Sequence, residues 1–162
     1  MSEFHEVPVF ENLSRDQIAE MTSWLTRQRY KPGETLIVEG GAPDGFHILL
    51  EGRVEVLQTI MESGRRVAVL EPPAVVGEIG LITHHPRSAT VMAIEETLSG
   101  FLARETYERK IAEDNIVALR IGYNLGRIGC DRYSQAVREM REFVEGEMRK
   151  VKYAIARAYW PG

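Results

Sequence analysis

The sequence contains a single cysteine, Cys130, among its 162 residues. One thiol excludes an intrachain disulfide and is too few for a cysteine-rich zinc site or an iron–sulfur cluster. We interpret Cys130 as a small residue packed on a helix. The four histidines, His5, His47, His84 and His85, lack the spacing of metal ligands, and no Ser-His-Asp or Cys-His set has support. The sequence therefore predicts no metal site and no enzyme activity.

Long apolar runs and an excess of basic charge are missing too. No stretch reaches the ~18 uninterrupted apolar residues of a membrane-spanning helix. The N-terminus MSEFHEVPVF lacks the basic start and apolar run of a signal peptide. We therefore expect a cytoplasmic protein without a transmembrane segment. The formal net charge of −4 makes the chain as a whole unlike the basic nucleic-acid binders.

The hydrophobic fraction of 44% is sufficient for an ordinary globular core. The first zone, residues 1–30, is predicted to be helical, because its apolar residues recur three and four positions apart. Ser14 followed by Gln17 predicts a capping box at the start of this helix. The apolar set of the helix face is Ile18, Met21 and Leu25.

The second zone, residues 31–103, consists of short β-rich runs separated by glycine turns. Val54 and Val56 show the period of two that is typical of strands with one buried face. His47 lies in such an alternating strand and is expected to be exposed, while His84 and His85 are expected in a solvated loop. Many short strands with regular turns favour a closed sandwich, roll or barrel.

The third zone, residues 104–160, is predicted to be helical again. Asp114-Asn115 is expected to end a first short helix and cap the next one. No proline occurs from Ile116 until Pro161. That spacing permits one helix of unusual length, or two helices interrupted at glycines.

The most informative stretch runs from Gly77 to Val91 and reads GEIGLITHHPRSATV. A helical turn starting at Gly77 would aim free backbone N–H groups and the helix dipole at an anion. Arg87 offers a planar guanidinium that holds a phosphate through two parallel bonds, and Ser88 adds a hydroxyl. Glu78 is unsuited to a phosphate but can accept hydrogen bonds from a ribose hydroxyl. These residues together indicate a sugar-phosphate site.

This stretch resembles the phosphate-binding cassette of cyclic-nucleotide-binding domains, which has the form G-E-[LI]-x-L followed by P-R-[SAT]-A-T-V. The chain departs from the family pattern at Gly41, where an acid is common. It departs again at Pro73–Val76, where Gly-Asp and aromatic residues are frequent. The flanking segments that also resemble the family are Phe10–Ser14, Tyr30–Glu34, Val38–Gly40 and Phe46–Val54.

The resemblance implies an α+β fold, an antiparallel β-roll (a double-stranded β-helix or jelly roll) with an N-terminal helix and long C-terminal helices. On this basis we expect a cyclic-nucleotide-binding roll with flanking helices over residues 1–115. A long helix over residues 116–162 would then act as lid, dimer contact or output. Transcription factors of the family carry a helix-turn-helix after this helix, and the sequence shows no pattern for a second recognition helix.

The resemblance also implies roles for the cassette residues. Arg87 would pair with the exocyclic oxygens of the cyclic phosphate, and Glu78 would accept from the ribose 2′-hydroxyl. Backbone amides around Ile79, Ser88 and Ala89 would complete the cradle. A serine after the arginine favours cyclic AMP, since a threonine there often accompanies cyclic GMP. The expected ligand is therefore cyclic AMP, with cyclic GMP as the alternative, and no cofactor is expected.

A rhythm of four and three residues runs along the C-terminal helix, as in a coiled-coil seam. Glycine costs about 1 kcal/mol relative to alanine inside a helix, so three glycines in this stripe indicate close approach of another backbone. The hypothesis is a parallel homodimer, as in the transcription-factor branch of the family, and the alternative is a flexible or broken helix. The stripe contains Gly122, Gly126, Gly129, Tyr133, Val137, Met140, Val144, Met148, Val151 and Ile155.

Aligned on that branch, Arg132 and Tyr133 fall where the nucleotide base is usually covered, and either side chain can stack on a purine. The alternative is that both residues belong only to the seam and the surface. The final residues, including Arg149, Lys150 and Trp160, fit a membrane-surface or partner-docking helix, or the capped end of a dimer helix.

The sequence therefore predicts a cyclic-nucleotide sensor that passes its state to an unidentified partner protein through the C-terminal helix. Two alternatives stay open. One is a ligand-free dimerisation scaffold, in which Arg87 and Glu78 form an internal salt bridge. The other is a DNA-associated transcriptional regulator, against which the net charge argues.

Overall fold

The computed structural model of the chain describes residues 7–60 and 63–159. Over these residues the chain forms eight strands and helices at both ends, so the predicted α+β fold is confirmed. The strands are β1 (Thr26–Tyr30), β2 (Thr35–Ile37), β3 (Gly45–Glu51), β4 (Val54–Ile60), β5 (Ser63–Leu70), β6 (Ala74–Val76), β7 (Thr90–Ala93) and β8 (Thr97–Ala103). The helices are a 3-10 turn (Pro8–Phe10), α1 (Arg15–Ser23), α2 (Glu78–Thr83), α3 (Arg104–Ala112) and α4 (Ile116–Tyr159).

The strands form two antiparallel four-stranded sheets, in the orders β1-β8-β3-β6 and β2-β7-β4-β5. Each sheet contains strands from the beginning and from the end of the sequence, because the chain passes repeatedly from one sheet to the other. Apolar residues of β3 contribute to two separate clusters, since Phe46 and Ile48 pack with the helices while Leu49 packs with Val54 and Val91. Strand β3 is therefore covered on both faces.

The N-terminal zone is only partly helical. The capping box is confirmed, since the Ser14 hydroxyl accepts from the Gln17 amide at 3.3 Å and the Gln17 side chain accepts from the Ser14 amide at 3.0 Å. The prediction of helix up to residue 30 is wrong, because Thr26–Tyr30 forms β1 and pairs along its length with β8. Pairing in the sheet provides hydrogen bonds that the local helical pattern does not reveal.

The junction between α3 and α4 follows the prediction. Asp114 adopts a positive φ of 53°, and the Asn115 side chain accepts hydrogen bonds from the Val117 and Ala118 amides at 2.9 and 3.0 Å. Of the two alternatives for the following segment, the structure has one helix of 44 residues. No helix within the described ranges is both long and apolar enough to cross a membrane.

The described residues form two compact units, of which the first ends at Ile128 and the second begins at Gly129. The first unit includes the start of α4, because residues such as Ile121 and Leu125 are buried in the core of the roll. The predicted boundary after residue 115 thus falls inside the first unit. The second unit contains the rest of α4.

Two predictions about α4 need correction. The glycine at position 122 faces the Tyr107 hydroxyl of α3, which leaves no space for a Cβ atom. Gly122 therefore serves packing within the first unit and not the approach of a second backbone. A Cβ atom at Gly126 or Gly129 would meet nothing within 4 Å. Cys130 is exposed and not packed as we had interpreted it.

Candidate functional site

The cassette begins with a sharp turn at Gly77. Buried strand β6 ends at Val76, and Gly77 follows with a φ of 85° as the N-cap of α2. A Cβ atom here would lie 2.7 Å from Arg87 Nη1 and 2.9 Å from Ile37 Cδ1. Both the left-handed backbone and the close approach of Arg87 therefore require glycine.

Helix α2 has one buried face and one exposed face. Glu78 is the first residue of α2 and is only 2% exposed, and Leu81 is also buried. Ile79 and Ile82 are exposed on the other side of the same short helix. The predicted site residue Glu78 is thus an acid within the wall of the roll, at the first turn of a helix, where the dipole favours negative charge.

The Arg87 side chain is 4% exposed and reaches across the site. Its Nη1 donates to the Gly77 carbonyl at 2.8 Å, and its Nη2 donates to the Gly45 carbonyl at 2.6 Å. Nη2 also pairs with the Asp44 carboxylate at 2.7 Å, and the Asp44 side chain is 73% exposed. A buried cation needs such partners, and here its ionic partner faces solvent.

The residues from Gly40 to Asp44, which we call the β2–β3 loop, also hold the main chain of Arg87. The Gly40 amide donates to the Arg87 carbonyl at 2.8 Å, and the Arg87 amide donates to the Gly41 carbonyl at 3.1 Å. The same loop therefore fixes both the backbone and the guanidinium of Arg87. The departure from the family pattern at Gly41 leaves this backbone pairing in place.

Ser88 and Ala89 follow Arg87 at the entrance to β7. Ser88 is exposed and Ala89 is half-buried. The Gln58 side chain on β4 donates to the Ser88 carbonyl at 3.2 Å, which links this segment to the neighbouring strand. The predicted cassette residues Gly77, Glu78, Ile79, Arg87, Ser88 and Ala89 thus lie on α2, its N-cap and the segment that Arg87 joins to it.

Sequence reasoning missed Asp44. Arg87 forms an ion pair with the Asp44 carboxylate, which the sequence analysis did not single out as a partner. The two partners are 43 residues apart in sequence, so no local pattern connects them. The available signal was an acid inside the glycine-rich turn before β3, GGAPDG.

Arg132 and Tyr133 belong to the second unit. The Tyr133 side chain is 72% exposed, so its ring is accessible. The role of these two residues in covering a base stays a prediction.

His47 is buried, with 3% exposure, and the expectation that it is exposed is wrong. His47 is buried because both faces of β3 are covered by the two apolar clusters of the roll. The His47 ring lies 4.8 Å from the Phe101 ring, and its Nδ1 is 3.1 Å from the Ser99 hydroxyl. Burial, reinforced by the nearby positive charge of Arg87, lowers the pKa of His47 to about 4.

This lowered pKa predicts acid sensitivity of the fold. The unfolded chain takes up a proton on His47 below its ordinary pKa of 6.5, whereas the folded chain resists protonation until about pH 4. The stability that His47 contributes is complete above pH 6.5 and is lost as the pH falls towards 4. We expect the free energy of unfolding to drop by about 2 kcal/mol between pH 7 and pH 5 from this residue alone.

Urea unfolding of the wild type and of His47→Gln at both pH values measures the effect. The variant should lose most of this pH dependence, while His85→Gln, at an exposed histidine, should keep it. An identical pH dependence in wild type and His47→Gln would contradict the assignment.

Across residues 7–60 and 63–159, no three His, Cys, Asp or Glu side chains cluster closely enough to hold a metal ion. His84 and His85 are exposed, in agreement with the predicted solvated loop. The chemistry offered by the site is therefore that of a buried guanidinium, a helix start and a buried acid.

Residues 27–114 match a family model described as cyclic nucleotide-binding domain. The matched range runs from β1 to the end of α3 and includes Gly77, Glu78, Arg87 and the β2–β3 loop. It therefore contains the complete cassette described above.

Comparison with individual proteins gives similarity to both cyclic AMP and cyclic GMP proteins. The chain is 31% identical over 114 residues to a cGMP-dependent protein kinase of Plasmodium berghei, covering 70% of this chain but 13% of the kinase. It is 27% identical over 150 residues to the cyclic AMP receptor protein of Thermus thermophilus, covering 91% of this chain and 68% of the receptor. The chain thus spans only a small part of the kinase.

The crystal structure of the Thermus thermophilus catabolite activator protein is similar to this chain, with a TM-score of 0.76 and 25% sequence identity. The match covers 85% of this chain and 63% of that protein.

Proposed function

Because the chain belongs to the cyclic nucleotide-binding domain family, we propose that it senses a cyclic nucleotide held between α2 and the segment after Arg87. The proposal rests on the burial of the Arg87 guanidinium and on the exposure of its ionic partner. Its guanidinium is buried against the first turn of α2, and its ionic partner is the solvent-facing Asp44. A cyclic phosphate offers this guanidinium two acceptor oxygens and can take over the position of the Asp44 carboxylate.

In this proposal each cassette residue has one role. Arg87 pairs with the exocyclic phosphate oxygens, and backbone amides around Ile79, Ser88 and Ala89 complete the cradle. Glu78 accepts from the ribose 2′-hydroxyl. The proposed role is binding, because Arg87, Glu78 and the backbone amides offer contacts to a phosphate and a ribose.

We propose cyclic AMP as the ligand in preference to cyclic GMP. The support is Ser88, which follows the phosphate-binding arginine and is exposed at the entrance to β7. Relatives named for each nucleotide are both similar to this chain, so the choice rests on the residue and not on the relatives. Calorimetric titration with the two nucleotides tests the ligand and the base preference together.

The Asp44 carboxylate is expected to compete with the ligand. It pairs with the same Nη2 atom that would hold a phosphate oxygen, and its negative charge repels the incoming anion. Asp44→Asn keeps an acceptor oxygen and removes the charge. Because an ion pair at an exposed carboxylate is worth at most about 1 kcal/mol, we expect binding of cyclic AMP to become roughly two- to fivefold tighter.

The measurement is the dissociation constant of wild type, Asp44→Asn and the control Glu96→Gln, whose carboxylate is equally exposed but pairs with Arg29. The control should leave affinity unchanged. Unchanged or weaker binding in Asp44→Asn would show that the carboxylate does not compete with the ligand.

We further propose that the second unit forms a parallel homodimer. Its helix exposes apolar side chains at the spacing of a coiled-coil seam, and such a face needs a partner to leave water. The seam residues Tyr133, Met140, Val144, Met148 and Val151 are exposed, and Val137 is half-buried. The side chain of Ile155 and all of Trp160 lie outside the described residues.

The proposed signal passes from the nucleotide to this helix. Stacking of Tyr133 or Arg132 on the base would make the packing of α4 depend on the ligand, which is the differential contact that coupling requires. The partner protein that reads the helix is not identified by these residues. A ligand-free scaffold is the second candidate, and it is favoured by one observation, namely that Arg87 already has an ionic partner in Asp44.

A further inference from the structure

Arg104, the first residue of α3, contacts segments on two sides of the cassette. Its Nε donates to the Pro43 carbonyl in the β2–β3 loop at 2.5 Å, and its Nη2 donates to the Gly80 carbonyl in α2 at 2.5 Å. Its backbone amide donates to the Asp44 carbonyl at 2.7 Å. One residue of α3 thus joins the loop that holds Arg87 to the helix that begins the cassette.

The end of α2 is fastened by the same guanidinium. Nη1 of Arg104 makes a short contact with Nδ1 of His84, the C-cap of α2, and lies 3.4 Å from the Glu108 carboxylate one turn along α3. The Arg104 side chain is only 15% exposed. All of its nitrogen atoms therefore have partners, in three different segments of the first unit.

Arg87 and Arg104 hold the same two segments through different atoms. Arg87 donates to Gly77 at the start of α2 and to Asp44 in the loop, whereas Arg104 uses Gly80 and Pro43. The loop and α2 touch between these contacts, because a Cβ atom at Gly80 would lie 2.9 Å from the Pro43 Cβ and 3.2 Å from Arg87 Nη1. The two segments are thus packed too closely for a side chain between them.

We infer that Arg104 is a positioning residue of the phosphate site, which keeps α2 docked on the β2–β3 loop while Arg87 exchanges Asp44 for the ligand. The exchange removes a loop contact from Arg87, and the Arg104 contacts to Pro43 and Gly80 do not depend on it. The ligand-binding half of this inference rests on the proposed function. Its structural half, the docking of α2 on the loop, does not.

A lysine cannot replace this arginine. The Arg104 guanidinium makes contacts in three directions. It can do so because a guanidinium is planar and carries five N–H donors. A lysine ammonium is a single point charge on a flexible stem and can reach one of these acceptors well. Arg104→Lys should therefore resemble Arg104→Gln more than the wild type, which would not hold if only the positive charge mattered.

Hydrogen exchange of the full chain without nucleotide tests the structural half. In Arg104→Gln and Arg104→Lys, amides of α2 and the β2–β3 loop should exchange at least about tenfold faster than in wild type, while amides of β3 and β8 keep their protection. The control is Arg109→Gln, an exposed arginine of the same helix, which should leave all these segments unchanged. Equal loss of protection in β3 and β8, or no change in α2, would overturn the inference.

Titration of the same variants with cyclic AMP tests the second half. We expect roughly ten- to a hundredfold weaker binding for both Arg104 variants and wild-type affinity for Arg109→Gln. Unchanged affinity in the Arg104 variants would overturn the role in ligand binding. If wild type itself binds no cyclic nucleotide, the proposed function fails, and the exchange experiment still decides whether Arg104 docks α2.

Discussion

Replacing Arg87 by alanine is expected to weaken the binding of cyclic AMP by about a hundredfold or more. The guanidinium is the buried cation that would face the phosphate, and each charge-assisted hydrogen bond it makes contributes on the order of 1.5–3 kcal/mol. Its low exposure and fixed contacts to Gly77 and Gly45 mean that it is already oriented, so little ordering cost offsets that gain. Arg87→Lys keeps the charge without the planar fork and should bind with intermediate affinity.

Loss of the fold is the main alternative explanation for such a result, because Arg87 also holds the β2–β3 loop. Thermal unfolding of each variant separates the two effects, and Arg87→Lys provides a second variant that keeps the positive charge. The matched control is Arg53→Ala, since Arg53 lies in the turn between β3 and β4 and forms an exposed ion pair with Glu95. Wild-type affinity in a folded Arg87→Ala would exclude the cassette as the phosphate site.

Placing one lysine in the α4 seam is expected to break the dimer. In Val144→Lys an ammonium group would replace an apolar seam side chain, and burying it without a partner costs several kcal/mol in each protomer. We therefore expect the dissociation constant of the dimer to rise at least about a hundredfold above that of the wild type. Analytical ultracentrifugation over a dilution series measures this. Gln135→Lys, at an exposed position outside the stripe, is the matched control and should stay dimeric.

Cys130 offers a test of orientation without any mutation. It is exposed, follows the seam residue Gly129 directly and lies one heptad before the seam residue Val137, so it borders the seam of the same helix. In a parallel, in-register dimer the two thiols meet, so a mild oxidant should yield a disulfide-linked dimer. A monomer at every concentration would contradict the dimer, and a dimer that does not cross-link would contradict its parallel register.

The cassette was predictable because its information is local. Gly77 needs its left-handed backbone, Glu78 follows at the helix start, and Arg87 stands ten residues later in one continuous stretch. The capping box at Ser14 and the Asn115 cap are similarly short-range, since each joins residues at most three positions apart. Such features are determined by residues that are close together in the sequence.

The features that the sequence did not reveal depend on tertiary contacts. His47 is buried because β3 is packed on both faces. The alternating pattern of residues along β3 does not reveal the second packed face. The Asp44–Arg87 pair and the Arg104 contacts join segments that are distant along the chain. The strand Thr26–Tyr30 has a polar composition and takes its structure from pairing with β8. Long-range pairing outweighs local preference in all these cases.

Calorimetric titration of the wild-type protein with cyclic AMP and, separately, with cyclic GMP tests whether the chain senses a cyclic nucleotide. We expect saturable binding with a dissociation constant of about micromolar, with cyclic AMP the tighter ligand, as Ser88 indicates. Tighter binding of cyclic GMP would contradict the base preference alone. No heat with either nucleotide, from a folded protein, would contradict the sensor and leave a scaffold in which Asp44 permanently occupies Arg87.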